Sequence, residues 1–316
     1  MVDVNLGQTA ATTLRNRSDE VADSVTNNNA FLAWQKAKGK IETRTGGRTY
    51  VEPVIYAEND TTKFYDGGME SFSIAPQNVI DASEWDRKFQ AGFLYFTESE
   101  RQSNRGEAAA IRLIDTKMDV LKATLANDFS TALYNDGTTA KEITGLQAIV
   151  ADLPTSGTVG GIDAGTYTWW RNKYKTGTAA TSSNIDTLLR DIWLSTIRGA
   201  DRPDLIVAGN DMFTYLHDFY AFNQRFMDWD KADAIQFEGL RYQSATVLFD
   251  PTCNTKRMYG LQTSDLTLVC DPGRRWAAGS HREIDNATYE VVPVLWSGAL
   301  VTRRRESHFV INGTAP

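Results

Sequence analysis

The sequence predicts an α+β protein that carries a long projecting β-hairpin, and three patterns predict it. Residues alternate with period two through KIETRT and RTYVEPVIY on either side of Gly46-Gly47, the signal of paired strands. Apolar residues then recur at spacings of three and four along one stretch of about 30 residues, 104–135, the mark of a single long amphipathic helix. After residue 141 short helical and strand-like runs interleave without a fixed period, so the remainder is a compact mixed body and not a repeat array.

Composition sets the frame for these elements. The chain has 316 residues, enough for two domains of roughly 150 each, and its 41% hydrophobic and 23% charged residues are an ordinary globular balance. No apolar run approaches the roughly 20 residues that span a bilayer, so no membrane partner is expected. The first residues lack the apolar core of a signal peptide, so the protein is expected to stay inside the cell that makes it. A net charge of −7 works against gripping nucleic acid by phosphate neutralisation, so any DNA contact is expected to be loose. Cys253 and Cys270 stand far apart with no CxxC pair and read as reduced core thiols.

In chain order, residues 1–38 are largely polar, with an apolar cluster of Phe31, Leu32 and Trp34 following three asparagines, one of which could cap a short helix. A polar segment with one apolar spot makes no core of its own and reads as an arm that docks either on its own body or on a neighbouring subunit. The hairpin comes next, with Ile41, Thr43 and Val51 beside Glu42, Arg44, Arg48 and Glu52. Its return through ENDTTKFYDGG, which contains Asp60 and Lys63, stays polar. A two-stranded ribbon is marginal alone in water, so it implies a partner surface, and shortening residues 40–66 is expected to spare the body. Asn104, with Glu107 three residues on, gives a capping-box start to the long helix, and Ile111, Ile114, Met118, Leu121 and Leu125 form its buried stripe. Asn135-Asp136-Gly137 stops it. The body contains GLQAIV, a helix over 185–197, the strand PDLIVAG, an aromatic helix from Asn210, and strand-like runs ATVLF, RMYGL, LTLVC, EVVPVLW and GALVT.

The order of arm, hairpin, long helix and mixed body resembles the Hong Kong 97 fold of tailed-bacteriophage major capsid proteins. The runs GGRTYVEPVIY, NRGEAAAIRLIDTKMDVLKATLANDFSTALYNDG, KEITGLQAIV, TVGGIDAGTYTWWRN and WSGALVTRRRESHFVING carry the resemblance over most of the chain. It implies an N-terminal arm at 1–38 and an extended loop at 39–75 lying over a neighbouring subunit. It further implies a peripheral domain at 76–140 and 261–306 with the spine helix, and an axial domain at 141–260 and 307–316. The implied protein is a structural homo-oligomer, hexamers and pentamers in an icosahedral shell, located in the virion and assembled in the host cytoplasm. It would have a separate scaffolding protein, a portal, loosely held double-stranded DNA, no cofactor and no metal. An encapsulin-like compartment is the nearest alternative, and a small-ligand-binding protein or enzyme is the alternative of another class. Candidate inter-subunit contacts are Phe31, Trp34, Arg44, Arg48, Glu52, Asp60, Lys63, Arg303, Arg304 and Arg305.

The chemical signals are sparse. The histidines His217, His281 and His308 have no nucleophile motif nearby, and Gly160-Gly161 lacks the Gly-Lys-Ser/Thr of a phosphate loop. Asp228, Asp230 and Asp233 lack the spacing of a calcium loop and read as a solvated turn. Trp169-Trp170 reads as packing, and the basic triplet Arg303-Arg304-Arg305 as partners for acidic groups on an adjacent strand or subunit. Two Asn-x-Thr matches, at Asn286 and Asn312, are chance.

Overall fold

The structure, a computed structural model, describes residues 29–59, 61–71, 76–97, 100, 107–199, 201–223, 240–279, 282–283 and 289–314. It confirms an α+β architecture. In chain order the elements are α1 (Ala30–Ala37), β1 (Ile41–Thr43), β2 (Thr49–Ile55), β3 (Ile80–Asp86), β4 (Lys88–Thr97), α2 (Glu107–Leu133) and α3 (Leu146–Ile149). They continue with β5 (Thr158–Val159), β6 (Ile162–Asp163), a 3-10 turn (Thr168–Trp170), β7 (Lys173–Lys175), α4 (Ile185–Thr196), β8 (Leu205–Ala208) and α5 (Asn210–Asn223). The chain closes with β9 (Leu240–Tyr242), β10 (Ala245–Phe249), β11 (Arg257–Leu261), β12 (Leu266–Cys270), β13 (Ala277–Ala278), β14 (Arg282–Glu283), β15 (Tyr289–Thr302) and β16 (Phe309–Asn312). Asn104, Asp60, His281 and the Asp228–Asp233 turn lie outside the described residues.

Helix α1 begins where Asn29 accepts a hydrogen bond from the Leu32 amide through its side-chain oxygen at 3.1 Å, satisfying one of the orphan donors of the first turn. It ends at Gly39, whose φ of +66° is the left-handed exit that halts a helix. Gln35 donates to the Leu266 carbonyl at 3.0 Å and seats the helix at the head of β12. The chain then runs parallel to β12, pairing Ile41 with Leu268 and Thr43 with Cys270.

That pairing corrects the predicted hairpin. Gly46-Gly47 does not join two partner strands: β1 belongs to the main sheet, and β2 pairs instead with β3, Thr49 opposite Asp86 and Ile55 opposite Ile80. The period-two signal marked β2 as a strand without naming its partner, because register is set by which faces are buried together. Here Tyr50 and Val54 of β2 share a buried face with Trp85 of β3.

Strand β3 runs through Arg87 into β4, and the buried parity changes at that residue. Ser83 and Trp85 point inward before it, and Leu94 and Phe96 after it. Arg87 is thus the corner at which the ribbon leaves the six-stranded sheet of β1, β12, β15, β13, β14 and β4.

Helix α2 lies across this sheet. Its 27 residues extend about 40 Å at 1.5 Å per residue. The stripe read from sequence faces inward at Ile114, Met118 and Leu125, with Leu121 packed against the core and Ala126, Phe129 and Leu133 extending it. Gly92 permits the approach, since a β-carbon there would come within 2.7 Å of Leu121. Phe129 presents an edge to Trp276 and Trp296 at 5.0 and 4.8 Å, a geometry that adds about 0.5–1.5 kcal/mol per pair beyond area burial. Beyond the helix Tyr134 donates to Asp250 at 2.7 Å, tying the spine to the second sheet.

The second sheet has the order β7-β16-β11-β8-β10-β9. In β8, Leu205 and Val207 join the large core under the first sheet, and Ile206 and Ala208 pack under α4 and α5. Burial on both faces explains why LIVA is a continuous apolar run and not an alternating one. His308 sits at the junction of the two sheets, wholly buried, and accepts the Gln262 amide at Nδ1 (3.2 Å) while Nε2 faces Thr302 at 3.1 Å.

Both cysteines are buried, as the sequence implied. Burial pushes the Cys253 thiol up strongly and the Cys270 thiol to about 11. The expected result is that a thiol-reactive dye at pH 8 labels neither in the folded chain and both after unfolding in guanidinium. Rapid stoichiometric labelling of the folded protein would contradict this packing.

Candidate functional site

The feature that stands apart from the body is the β2–β3 ribbon. Alternation gives it two different faces. Tyr50, Glu52 and Val54 point at the body with Ser83 and Trp85, whereas Val51, Ile55 and Ile80 point away and remain exposed. The ribbon base is therefore part of the core, and the projection begins beyond Tyr56, not at residue 40.

Two carboxylates hold the base, Glu52 buried and Asp271 partly exposed. Glu52, only 2% exposed, binds Arg44 through Oε1 and Arg303 through Oε2, the latter at 3.0 Å. Arg44 also donates to Glu42 at 2.7 Å. Asp271 follows β12 and accepts from the Tyr50 hydroxyl at 2.8 Å and Ser297 at 2.5 Å, and it pairs with Arg87 at 2.9 Å. Arg87 in turn covers the Tyr50 ring at 5.2 Å. Farther along, the Tyr56 ring stacks on Trp169 at 5.1 Å, and the Glu84 amide donates to the Gly160 carbonyl at 2.8 Å. Gly160 and Gly161 have φ of +61° and +77°, so the glycine pair serves the tight turn between β5 and β6 that reaches the ribbon.

Past Tyr56 the character changes. Asn59 organises a local turn by accepting from the Thr61 amide at 2.9 Å, and Lys63 pairs with Glu70 at 2.8 Å. Between them and beyond, Phe64 and Met69 have relative exposures of 106% and 109%, so the tip holds large apolar groups against water. A second apolar surface lies on β4, where Phe89, Phe93 and Tyr95 form an outward row and Phe93 is 58% exposed. Phe93 and Tyr95 meet Val120 and Thr124 of α2 around a cleft of about 320 Å³. Exposed apolar surface of this kind is available for contact with another molecule.

The structure brings Arg44, Glu52 and Arg303 together, and separates the other predicted contact residues. Phe31 and Trp34, expected to dock on a neighbour, are filled positions of the chain's own core, because α1 lies over the start of β12. Arg48 is exposed beside the Gly46-Gly47 bend, and Lys63 lies on the tip. The basic triplet divides. Arg303 goes to Glu52, and Arg304 pairs with Asp201 at 2.8 Å and Asp265 at 2.9 Å. Arg305 is buried and donates to the Ile149 carbonyl at 2.7 Å and to Asn172 at 3.2 Å, where burial brings its guanidinium down to about 10. Trp170 is buried and donates to the Val159 carbonyl, and Trp169 stacks against the ribbon, so this pair packs as expected. Sequence reading missed Asp271, Tyr50 and Arg87. Their partners are remote in sequence, 221 residues for Tyr50 and Asp271, and no local pattern signals them.

Among the described residues no helix is long and apolar enough to cross a membrane, and no group of three or more His, Cys, Asp or Glu side chains is placed to hold a metal. The groups gathered at the ribbon base hold surfaces in place: carboxylates neutralised by guanidiniums, and rings stacked on rings.

No family model and no curated protein matches the sequence. Solved structures match the fold over nearly the whole chain. The capsid of cyanophage A-1(L) superposes with a TM-score of 0.66 at 14% identity, covering 88% of this chain and 91% of that one. The capsid of Myoviridae phage XM1 gives 0.54 at 9% identity, over 89% and 92%. The SrpI encapsulin of Synechococcus elongatus PCC 7942 gives 0.52 at 12% identity, over 90% and 88%. This chain has the fold those shell proteins share.

Proposed function

We propose that this chain, which has the Hong Kong 97 fold, is the major capsid protein of a tailed bacteriophage, many copies of which close as hexamers and pentamers into the icosahedral head shell. The observation that carries the proposal is the division of the ribbon into a base fixed in the core and a tip that exposes Phe64 and Met69. A chain with such a tip and an outward apolar row on β4 has surface to offer and surface to receive it. Contacts between unlike surfaces propagate from copy to copy and close when their geometry bends, which is how one sequence builds a shell. Each copy held by several neighbours leaves only when all contacts part together, so modest individual contacts suffice.

The same reading assigns a separate scaffolding protein and a portal as partners, the virion as location after assembly in the host cytoplasm, and loose contact with the packaged double-stranded DNA. The net charge of −7 agrees with the last point, because tight binding would need many phosphate-neutralising cations. An encapsulin-like compartment uses the same fold, but the match to the cyanophage capsid, with a TM-score of 0.66 against 0.52 for the encapsulin, favours the phage shell. Electron microscopy of the chain expressed with its scaffold is expected to show closed particles of uniform diameter. Monomers alone under those conditions would overturn the proposal, and particles that enclose a cargo enzyme would transfer it to the compartment reading.

A further inference from the structure

We infer that Glu52 and Asp271 are positioning residues that set the direction in which the ribbon leaves the body, and through it the angle at which neighbouring copies meet. The second clause rests on the shell reading above; the first does not.

The geometry is that of two pins through one bar. Glu52 lies in β2 and reaches two separate ends of the six-stranded sheet, Arg44 just past β1 and Arg303 just past β15. Asp271, just past β12, holds Tyr50 of β2 and Arg87 at the foot of β3, so both strands of the ribbon are fastened. Tyr50 and Glu52 are two residues apart on one face, about 7 Å along a strand. A ribbon held at one point pivots, whereas two points define a line. The ribbon side of each attachment is shielded from water. Glu52 is 2% exposed and Tyr50 4%, so neither pin opens without leaving a charge or a hydroxyl unpartnered in the interior. Farther along the ribbon the Tyr56–Trp169 stack and the hydrogen bond from the Glu84 amide to the Gly160 carbonyl steady it laterally.

A merely structural role would lower stability and leave the direction alone, so direction is what must be measured. Cysteines introduced as Gly68→Cys on the tip and Thr139→Cys on the body, with the buried native thiols left unlabelled, carry a spin-label pair on the unassembled chain. The expected result is one narrow distance distribution for the parent and a broad or shifted one for Glu52→Gln and for Asp271→Asn. Arg303→Gln, which cuts one of the two Glu52 attachments, is expected to broaden it less and serves if either carboxylate variant fails to fold. Distributions in folded variants that overlay the parent overturn the inference. In assembly with scaffold, the parent is expected to give one particle diameter and the variants mixed diameters or open sheets. Uniform particles of parental diameter from a variant with a broadened distribution overturn the link to curvature. A parent that forms no particles at all counts against the shell reading and leaves the distance result standing.

Discussion

Replacing residues 57–78 with a two-residue Asn-Gly turn is expected to leave the chain folded and to abolish shell formation. The cut follows the structure of the ribbon. Ile55 faces Ile80 in the last paired register, and the Tyr56 amide donates to the Val79 carbonyl at 3.1 Å, so a tight type I′ turn is able to close the ladder at that point. Everything that holds the base remains: the Glu52 and Asp271 attachments, the buried Tyr50 and Val54, and the Tyr56 stack on Trp169. Described residues of the removed segment are exposed apart from Ala57 and Thr61, which are partly so, and the stability should therefore change by no more than about 0.5 kcal/mol. What is lost is the apolar tip. Burying a side chain of the size of Phe64 or Met69 against another copy contributes about 1.5–3 kcal/mol, and every copy in a shell loses it at once. Sedimentation and electron microscopy with scaffold should therefore show folded, unassembled protein. Closed shells from this variant would mean that the tip is not a contact on which assembly depends.

The cut suggested by sequence, over residues 40–66, would fail for a physical reason. It removes β1, which pairs with β12, and the side chains of Tyr50, Glu52 and Val54, which are buried in the body. The result would be an unfolded chain that reports nothing about assembly. Alternation along KIETRT and RTYVEPVIY identified β1 and β2 as strands, yet a period of two says only that faces differ. The true partner of β2, IDASEWD, is largely polar and reads weakly as a strand. Helix α2 was legible because its buried stripe repeats over many turns within one segment, and the central strands β8, β10 and β11 of the second sheet because burial on both faces leaves a largely apolar run. The candidate site was legible only in part. Arg44 and Glu52 were singled out as groups facing another subunit, and Arg303 as pairing with an acidic group on an adjacent strand or subunit; all three hold the ribbon to its own body. Phe31 and Trp34 looked adhesive because the sequence before them is polar, and a short helix docking on its own sheet leaves the same trace. Arg303, Arg304 and Arg305 read as one basic patch, although consecutive residues leaving a strand point to different sides and here find three different environments.

The second large effect is expected from acid, through His308. The imidazole is wholly buried where the two sheets meet, and its hydrogen bonds define its state. Because Nδ1 accepts from the Gln262 amide, the proton resides on Nε2 and is donated to Thr302, whose hydroxyl reaches the Arg304 carbonyl at 3.3 Å. A second proton would set Nδ1–H against the Gln262 N–H. Burial, reinforced by the guanidiniums of Arg304 and Arg305 and opposed by the carboxylate of Asp265, brings the pKa from 6.5 to about 4. The sign follows from proton counting: between pH 6.5 and 4 the unfolded chain binds the proton that the folded chain refuses, so folding weakens as pH falls. The contribution is complete above pH 6.5, and about 3 kcal/mol of it is lost by pH 4. Carboxylates elsewhere also titrate in this range, so the measurement is a difference. His308→Asn keeps an acceptor near the Nδ1 position and carries no titrating group, and its packing cost is the same at every pH. Urea unfolding of the unassembled protein should therefore show the parent well above the variant at pH 7, with the gap closing by about 3 kcal/mol as pH approaches 4. Parallel stability curves would show that His308 does not carry the acid sensitivity of the junction, and a gap that widened toward low pH would mean that the imidazole is charged in the folded chain.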